Sequence, residues 1–122
     1  MLRLLLDEHI SPAVAEGLPR RHEINAIPLA DWQEGRFLGQ SDETLLFEAA
    51  AEKLSLVSYD RRTIPPLLKA WAEAGRNHGG VIFVDEKTIP PSDIGGLIHA
   101  LRELFHEAAK WDWANRAVFL RR

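Results

Sequence analysis

Three short apolar runs, each leading into an acid, constrain this chain more than any other feature. Leu2 to Leu6 carries four leucines in five positions and runs straight into Asp7-Glu8-His9. Leu54 to Ser58 (LSLVS) leads through Tyr59 to Asp60, and Val81 to Val84 (VIFV) leads to Asp85-Glu86. Runs of this length without polar alternation are the pattern of strands buried on both faces, as in the interior of a parallel sheet. Open α/β sheets bind their ligands at the carboxyl ends of such strands. The acids therefore fall where a site would be.

Between the runs the chain reads as helix. Ser11 and Pro12 suit an N-cap and a first helical residue; Ala13, Val14 and Leu18 form a short apolar stripe, and Gly17-Leu18-Pro19 ends it. His22 to Ile27 reads as a second strand closed by Pro28, completing a βαβ unit of minimal length. Leu29 to Gln40 reads as a loop whose Trp32 and Phe37 tuck under the domain. Ser41-Asp42-Glu43-Thr44 opens a helix with Leu45, Leu46, Ala49 and Ala50 at helical spacing. Thr63 is placed to cap a helix carrying Leu67, Leu68 and Trp71, and Gly75 and Gly79-Gly80 break the chain after it. Pro90-Pro91-Ser92-Asp93 starts the longest helix, with Ile94, Leu97, Ile98, Leu101, Leu104, Phe105 and Ala108 on one face and an end near Lys110. Ala117 to Leu120 reads as a short last strand of open direction. This alternation predicts an α/β fold: a three-layer α/β/α sandwich with a mostly parallel sheet of about five strands, in a single domain over 1–122.

Composition narrows the class. With 122 residues, 46% of them hydrophobic, the chain can bury a core. The absence of cysteine excludes disulfides and thiolate metal sites. No apolar run reaches membrane-spanning length and no signal peptide is visible, so a cytoplasmic protein without membrane contact is expected. The net charge of −3 lacks the strongly basic balance that announces a nucleic-acid binder. It leaves room for a local basic rim, and arginines do cluster at Arg20-Arg21, Arg61-Arg62 and Arg116 with Arg121-Arg122. The first pair reads as solvated surface.

Asp7, Asp60 and Asp85 end strands that run in parallel, so they share one edge of the sheet. Asp42 begins a helix that leads into the third strand, so it starts at that same edge. Carboxylates converging without paired lysines repel one another, and hard divalent cations such as Mg²⁺ or Mn²⁺ are what neutralises such a group. Each acid also has a plainer explanation: strand-end acids serve as turn residues or caps, and Asp42 with Glu43 complements a helix dipole.

Leu5-Leu6-Asp7-Glu8-His9-Ile10-Ser11-Pro12, then Ser41-Asp42-Glu43, then Leu56-Val57-Ser58-Tyr59-Asp60 resemble the three signatures of the PIN-like domains. More narrowly, they resemble a small bacterial and archaeal branch of the VapC-like toxin and ribonuclease superfamily. The likeness in order and spacing covers roughly the first half of the chain; the second half is similar only in its pattern of elements. The resemblance implies a metal-dependent ribonuclease, acting as the toxin of a type II toxin–antitoxin pair or as an RNA-processing enzyme. Asp7, Asp42 and Asp60 would be the catalytic carboxylates and the ligands of Mg²⁺ or Mn²⁺. Ser58 would orient Asp60 or the attacking water, Glu8 would brace the site, and Glu43 would substitute if Asp42 turned away. RNA, a cognate antitoxin and a second copy of the chain are the implied partners.

The third signature departs from the family pattern. Where D-x-D-F is usual, this chain has Asp60-Arg61-Arg62-Thr63, so Arg62 reverses a charge. Arg61 and Arg62 are then candidates for holding the RNA phosphate, with Asp85 as a possible replacement ligand. The alternative is a catalytically degenerate PIN-like binding module. A receiver-like signalling domain is the remaining reading, resting on Asp7-Glu8, Asp60 and Lys87, but it gives Asp42 no role. His9 fits a backbone-bracing role better than a catalytic one. His99, Glu103 and His106 could bind zinc by spacing but read more simply as a solvated helix face. Trp111 and Trp113 suit either the end of the core or a partner surface.

Overall fold

The fold is seen in a computed structural model that describes residues 2–18 and 25–121. Its elements in chain order are β1 (Arg3–Leu6), α1 (Ala13–Gly17), β2 (Asn25–Pro28), α2 (Asp42–Ala51), β3 (Ser55–Ser58), α3 (Ile64–Glu73), β4 (Val81–Val84), α4 (Ile94–Ala108) and β5 (Ala117–Leu120). The strands form one sheet in the order β2-β1-β3-β4-β5, and every neighbouring pair is parallel. The predicted α/β sandwich is thus observed, and its last strand is parallel like the rest. Among the described residues no helix is long and apolar enough to cross a membrane.

The uninterrupted apolar runs are explained by burial on both sides. Leu2, Leu4, Leu6, Val57, Ile82 and Val84 face one layer, where Val14 and Leu18 of the α1 segment and Leu97, Leu101 and Leu104 of α4 cover them. Leu5, Leu56, Val81 and Phe83 face the other, under Leu45, Leu46 and Ala49 of α2 and Ile64 and Trp71 of α3. β2, an edge strand, is only partly buried and tolerates Pro28 for that reason.

This layering fixes the sense of the connections. β2-α2-β3 and β3-α3-β4 step along the sheet one way with their helices on one face; β1-α1-β2 steps the other way with its helix on the opposite face. All three share one hand. The β4-α4-β5 connection steps like β3-α3-β4, yet α4 lies on the α1 side. It has the opposite hand, and since parallel crossovers are right-handed almost without exception, it is the left-handed one. Five-residue α1 is too short to cover its face alone, and the fifteen residues of α4 supply the missing cover.

Local chemistry sets the ends of the elements. Ser41 Oγ accepts the Thr44 amide at 3.2 Å and starts α2. Asp93 accepts the Gly96 amide at 2.9 Å and starts α4, while the Trp113 indole donates to the Ala108 carbonyl at 2.9 Å and closes its far end. The turn into β4 requires glycine: Gly80 has φ +104°, and a Cβ there would lie 2.7 Å from the Trp113 carbonyl oxygen. Trp32 precedes a kink in which Gln33 and Glu34 take left-handed backbone (φ 51° and 60°); it is buried as expected, with its indole on the Glu52 carboxylate at 2.9 Å and Phe37 stacked on it. Two details differ from expectation. Pro12, not Ser11, is the cap position of α1, and Ser11 Oγ instead accepts the Ala13 amide. The second strand, described over Asn25–Pro28, takes in the Pro28 expected to close it; residues 22–24 of that expected strand, with Arg20-Arg21 and Arg122, lie outside the described residues.

Candidate carboxylate site at the strand ends

β1 and β3 are neighbours, with Leu6 opposite Val57, so the residues that follow them emerge side by side. Asp7 is buried, its amide donates to the Val57 carbonyl, and Ser58 Oγ donates to Asp7 Oδ2 at 2.8 Å. The same Ser58 oxygen accepts the Asp60 amide at 3.0 Å. Ser58 therefore orients the Asp7 carboxylate and, through its amide, the Asp60 backbone; sequence reasoning had tied it to Asp60 or the attacking water and not to Asp7. Asp7 Oδ1 accepts the Glu8 amide at 2.8 Å, and the Glu8 side chain is exposed.

α2 and α3 start at this edge and bring the other two carboxylates together. Asp60 Oδ1 accepts the amides of Arg62 and Thr63, both at 2.9 Å, as a turn-forming aspartate does. Its Oδ2 is in close contact with the Thr63 hydroxyl, which also lies 2.8 Å from Asp42 Oδ2. Thr63 holds the cap position of α3, but its side chain makes no capping bond there. The single hydroxyl proton can go to only one of the two carboxylates at a time.

The electrostatics follow. Burial raises the Asp42 pKa; the Thr63 hydroxyl opposes this, and the charges of Asp60 and Asp7 add to the rise. Burial also pushes Asp60 upward, but the Thr63 hydroxyl, the Thr63 and Arg62 amides and Asp42 outweigh it, and Asp60 titrates below its ordinary value. The two carboxyls are thus split into one that keeps its proton longer and one that loses it sooner.

The other expected residues are placed as follows. Glu43 forms an ion pair with Arg76 at 3.1 Å, so it is engaged away from the three aspartates. The Arg61 guanidinium lies 3.7 Å from Asp85 and 5.3 Å from the Phe119 ring centroid, beside β4 and β5. Asp85 also accepts the Lys87 amide, a turn residue's role. Arg62 is exposed, and its amide is bound to Asp60. His9, His99, Glu103 and His106 are exposed. Thr63 is the residue sequence reasoning missed; its signal there was only that of a helix cap.

An all-oxygen, anionic donor set suits a hard divalent cation; the Asp42 pKa is raised chiefly by burial, with the charges of Asp60 and Asp7 adding to it. Among the described residues no three His, Asp or Glu side chains stand at metal-ligating spacing. The site as placed is a hydroxyl-bridged carboxylate pair with a third, separately braced carboxylate beside it. No family model matches the chain, and no curated protein or solved structure matches it.

Proposed function

We propose that this chain is a metal-dependent ribonuclease whose Asp7, Asp42 and Asp60 hold Mg²⁺ or Mn²⁺. The observation that carries the reading is the link from Asp42 through the Thr63 hydroxyl to Asp60. Capping does not account for it, because Ser41 already caps α2. A receiver-like phosphoacceptor site would have no use for Asp42, and here Asp42 is bound into the same cluster as Asp60.

A bound divalent ion lowers the pKa of water and offsets charge developing on a phosphate. The chain's own residues supply the rest. Ser58 holds Asp7 in place. One of the three carboxylates would assist deprotonation of the attacking water. The exposed Arg62 guanidinium, carried by the same turn as Asp60, meets the substrate phosphate in place of the family's second acid. In this reading the chain is the toxin of a type II pair, and a cognate antitoxin is its natural inhibitor.

Cleavage of single-stranded RNA by the pure protein, with Mn²⁺ or Mg²⁺ and with chelator, beside Asp60→Asn, tests it. Metal-dependent cleavage lost in the variant is the expected result. Cleavage that survives in Asp60→Asn, or in chelator, refutes it. The spacing of the acids favours one competing reading, a catalytically silent binding module. Calorimetry that detects no Mn²⁺ binding at millimolar concentration would select that module.

A further inference from the structure

At the end of the sheet opposite the carboxylates, where the strands begin, aromatic and cationic side chains surround a cavity of about 890 Å³. That volume lies within the range of small-molecule sites. Phe47 and Trp111, two of the few large apolar side chains left exposed, stand in its walls. Guanidinium groups already lie on its rings: Arg76 is 4.0 Å from the Trp71 centroid and 6.0 Å from that of Phe47. Arg116 is 4.7 Å from Trp111, which in turn stacks on Trp113. Flat, electron-rich faces beside a fixed cation are the surroundings that unpaired bases and their phosphates seek.

The same wall offers a hydrogen-bond donor. His78 is buried, and its Nδ1 accepts the Gly80 amide at 3.0 Å. Burial lowers the ring's pKa, so the neutral ring carries its proton on Nε2, which is left to the cavity the ring lines. Trp71 Nε1 is the one buried side-chain nitrogen or oxygen without a hydrogen-bond partner among the described residues. That atom is sealed from the cavity, so His78 Nε2 is the donor a ligand there would meet.

We propose that this cavity binds one nucleotide unit, its base stacked on Trp111 in place of the Arg116 guanidinium, its ring acceptors on the His78 side of the wall and its phosphate on Arg76 in exchange for the Glu43 carboxylate. The unit is either a free mononucleotide or one residue of a single-stranded RNA. The inference stands apart from the metal reading, because its test runs in EDTA, where the carboxylate centre is inactive.

The full chain is titrated calorimetrically with AMP, with UMP and with short single-stranded oligo(A) and oligo(U), beside Trp111→Ala and Trp111→Phe. Saturable binding is expected, weakened at least about tenfold in Trp111→Ala, as loss of one base–aromatic stack implies, and restored in Trp111→Phe. Equal affinity for mononucleotide and oligonucleotide identifies the free nucleotide as ligand; a much tighter oligonucleotide identifies the strand. Trp111 also stacks on Trp113, so both variants are melted beside the parent and binding is compared below the lowest Tm. The proposal is overturned by no binding of any of the four at millimolar concentration. It is equally overturned by binding that Trp111→Ala leaves unchanged.

Discussion

Ser58→Ala isolates what holds the first carboxylate in place. Ser58 is fully buried, donates to Asp7 Oδ2 at 2.8 Å and accepts the Asp60 amide at 3.0 Å. Its first bond is to a buried carboxylate and contributes about 1.5–3 kcal/mol; the second, to a neutral amide, contributes about 0.5–1.5 kcal/mol. Alanine fills nearly the same space, so cavity formation adds little. The expected cost is about 2–4 kcal/mol, which for a chain of this length lowers Tm by roughly 10 °C. Urea unfolding followed by circular dichroism should show a lower midpoint with an unchanged slope. The companion measurement repeats Ser58→Ala in an Asp7→Asn background. Most of the charge-assisted part is then already gone, so the substitution should cost about 1 kcal/mol less or better. A loss below about 0.5 kcal/mol in the parent, or an equal loss in both backgrounds, would refute the role given to this hydroxyl.

Other expectations follow from the same geometry. Asp42 titrates above its ordinary 3.8 in the fold, so the folded state is increasingly disfavoured as pH rises above that value and the penalty levels off beyond the folded pKa. Asp42→Asn should therefore raise Tm at pH 7 in chelator, with the gain vanishing below about pH 4. Asp60 has the reverse sign: its lowered pKa contributes stability above 3.8 that is lost as pH falls through the folded value. Asp60→Asn should lower Tm at neutral pH and converge on the parent in acid; melts across the acid range check both signs. Gly80→Ala should cost about 1–3 kcal/mol from its left-handed backbone alone, and more from the Trp113 carbonyl in its way; a denaturation midpoint within error of the parent would contradict this. Phe83→Ala, at a position 1% exposed, should cost about 3–5 kcal/mol by the same assay.

Where sequence and structure agree, local chemistry decides. Val81–Val84 and Ala117–Leu120 have the expected bounds because Gly80 and Asp85 punctuate the first and Arg116 and Arg121 bracket the second. The convergence of Asp7 and Asp60 was legible because parallel strands put their ends on one edge. The bridge from Asp42 to Asp60 was not, because it depends on α2 and α3 lying side by side, and nothing at Thr63 distinguishes a bridging hydroxyl from a capping one. The cavity between Phe47, Arg76, His78 and Trp111 draws on four separate segments, so no periodicity announces it. The apolar stripe of α4 was plain, but a stripe says that a helix is buried, not on which side of a sheet.

That side matters for how the chain acquires its structure. Because α4 crosses to the α1 face, residues 94–108 share one core with residues 2–18, across nearly the whole length of the sequence. Contacts so distant along the chain carry a large loop-closure cost and form slowly. During synthesis β1 emerges well before α4, so the side of it bearing Leu2, Leu4 and Leu6 cannot be fully covered until α4 has left the ribosome. The strand that leads into Asp7 thus waits for a helix made long after it.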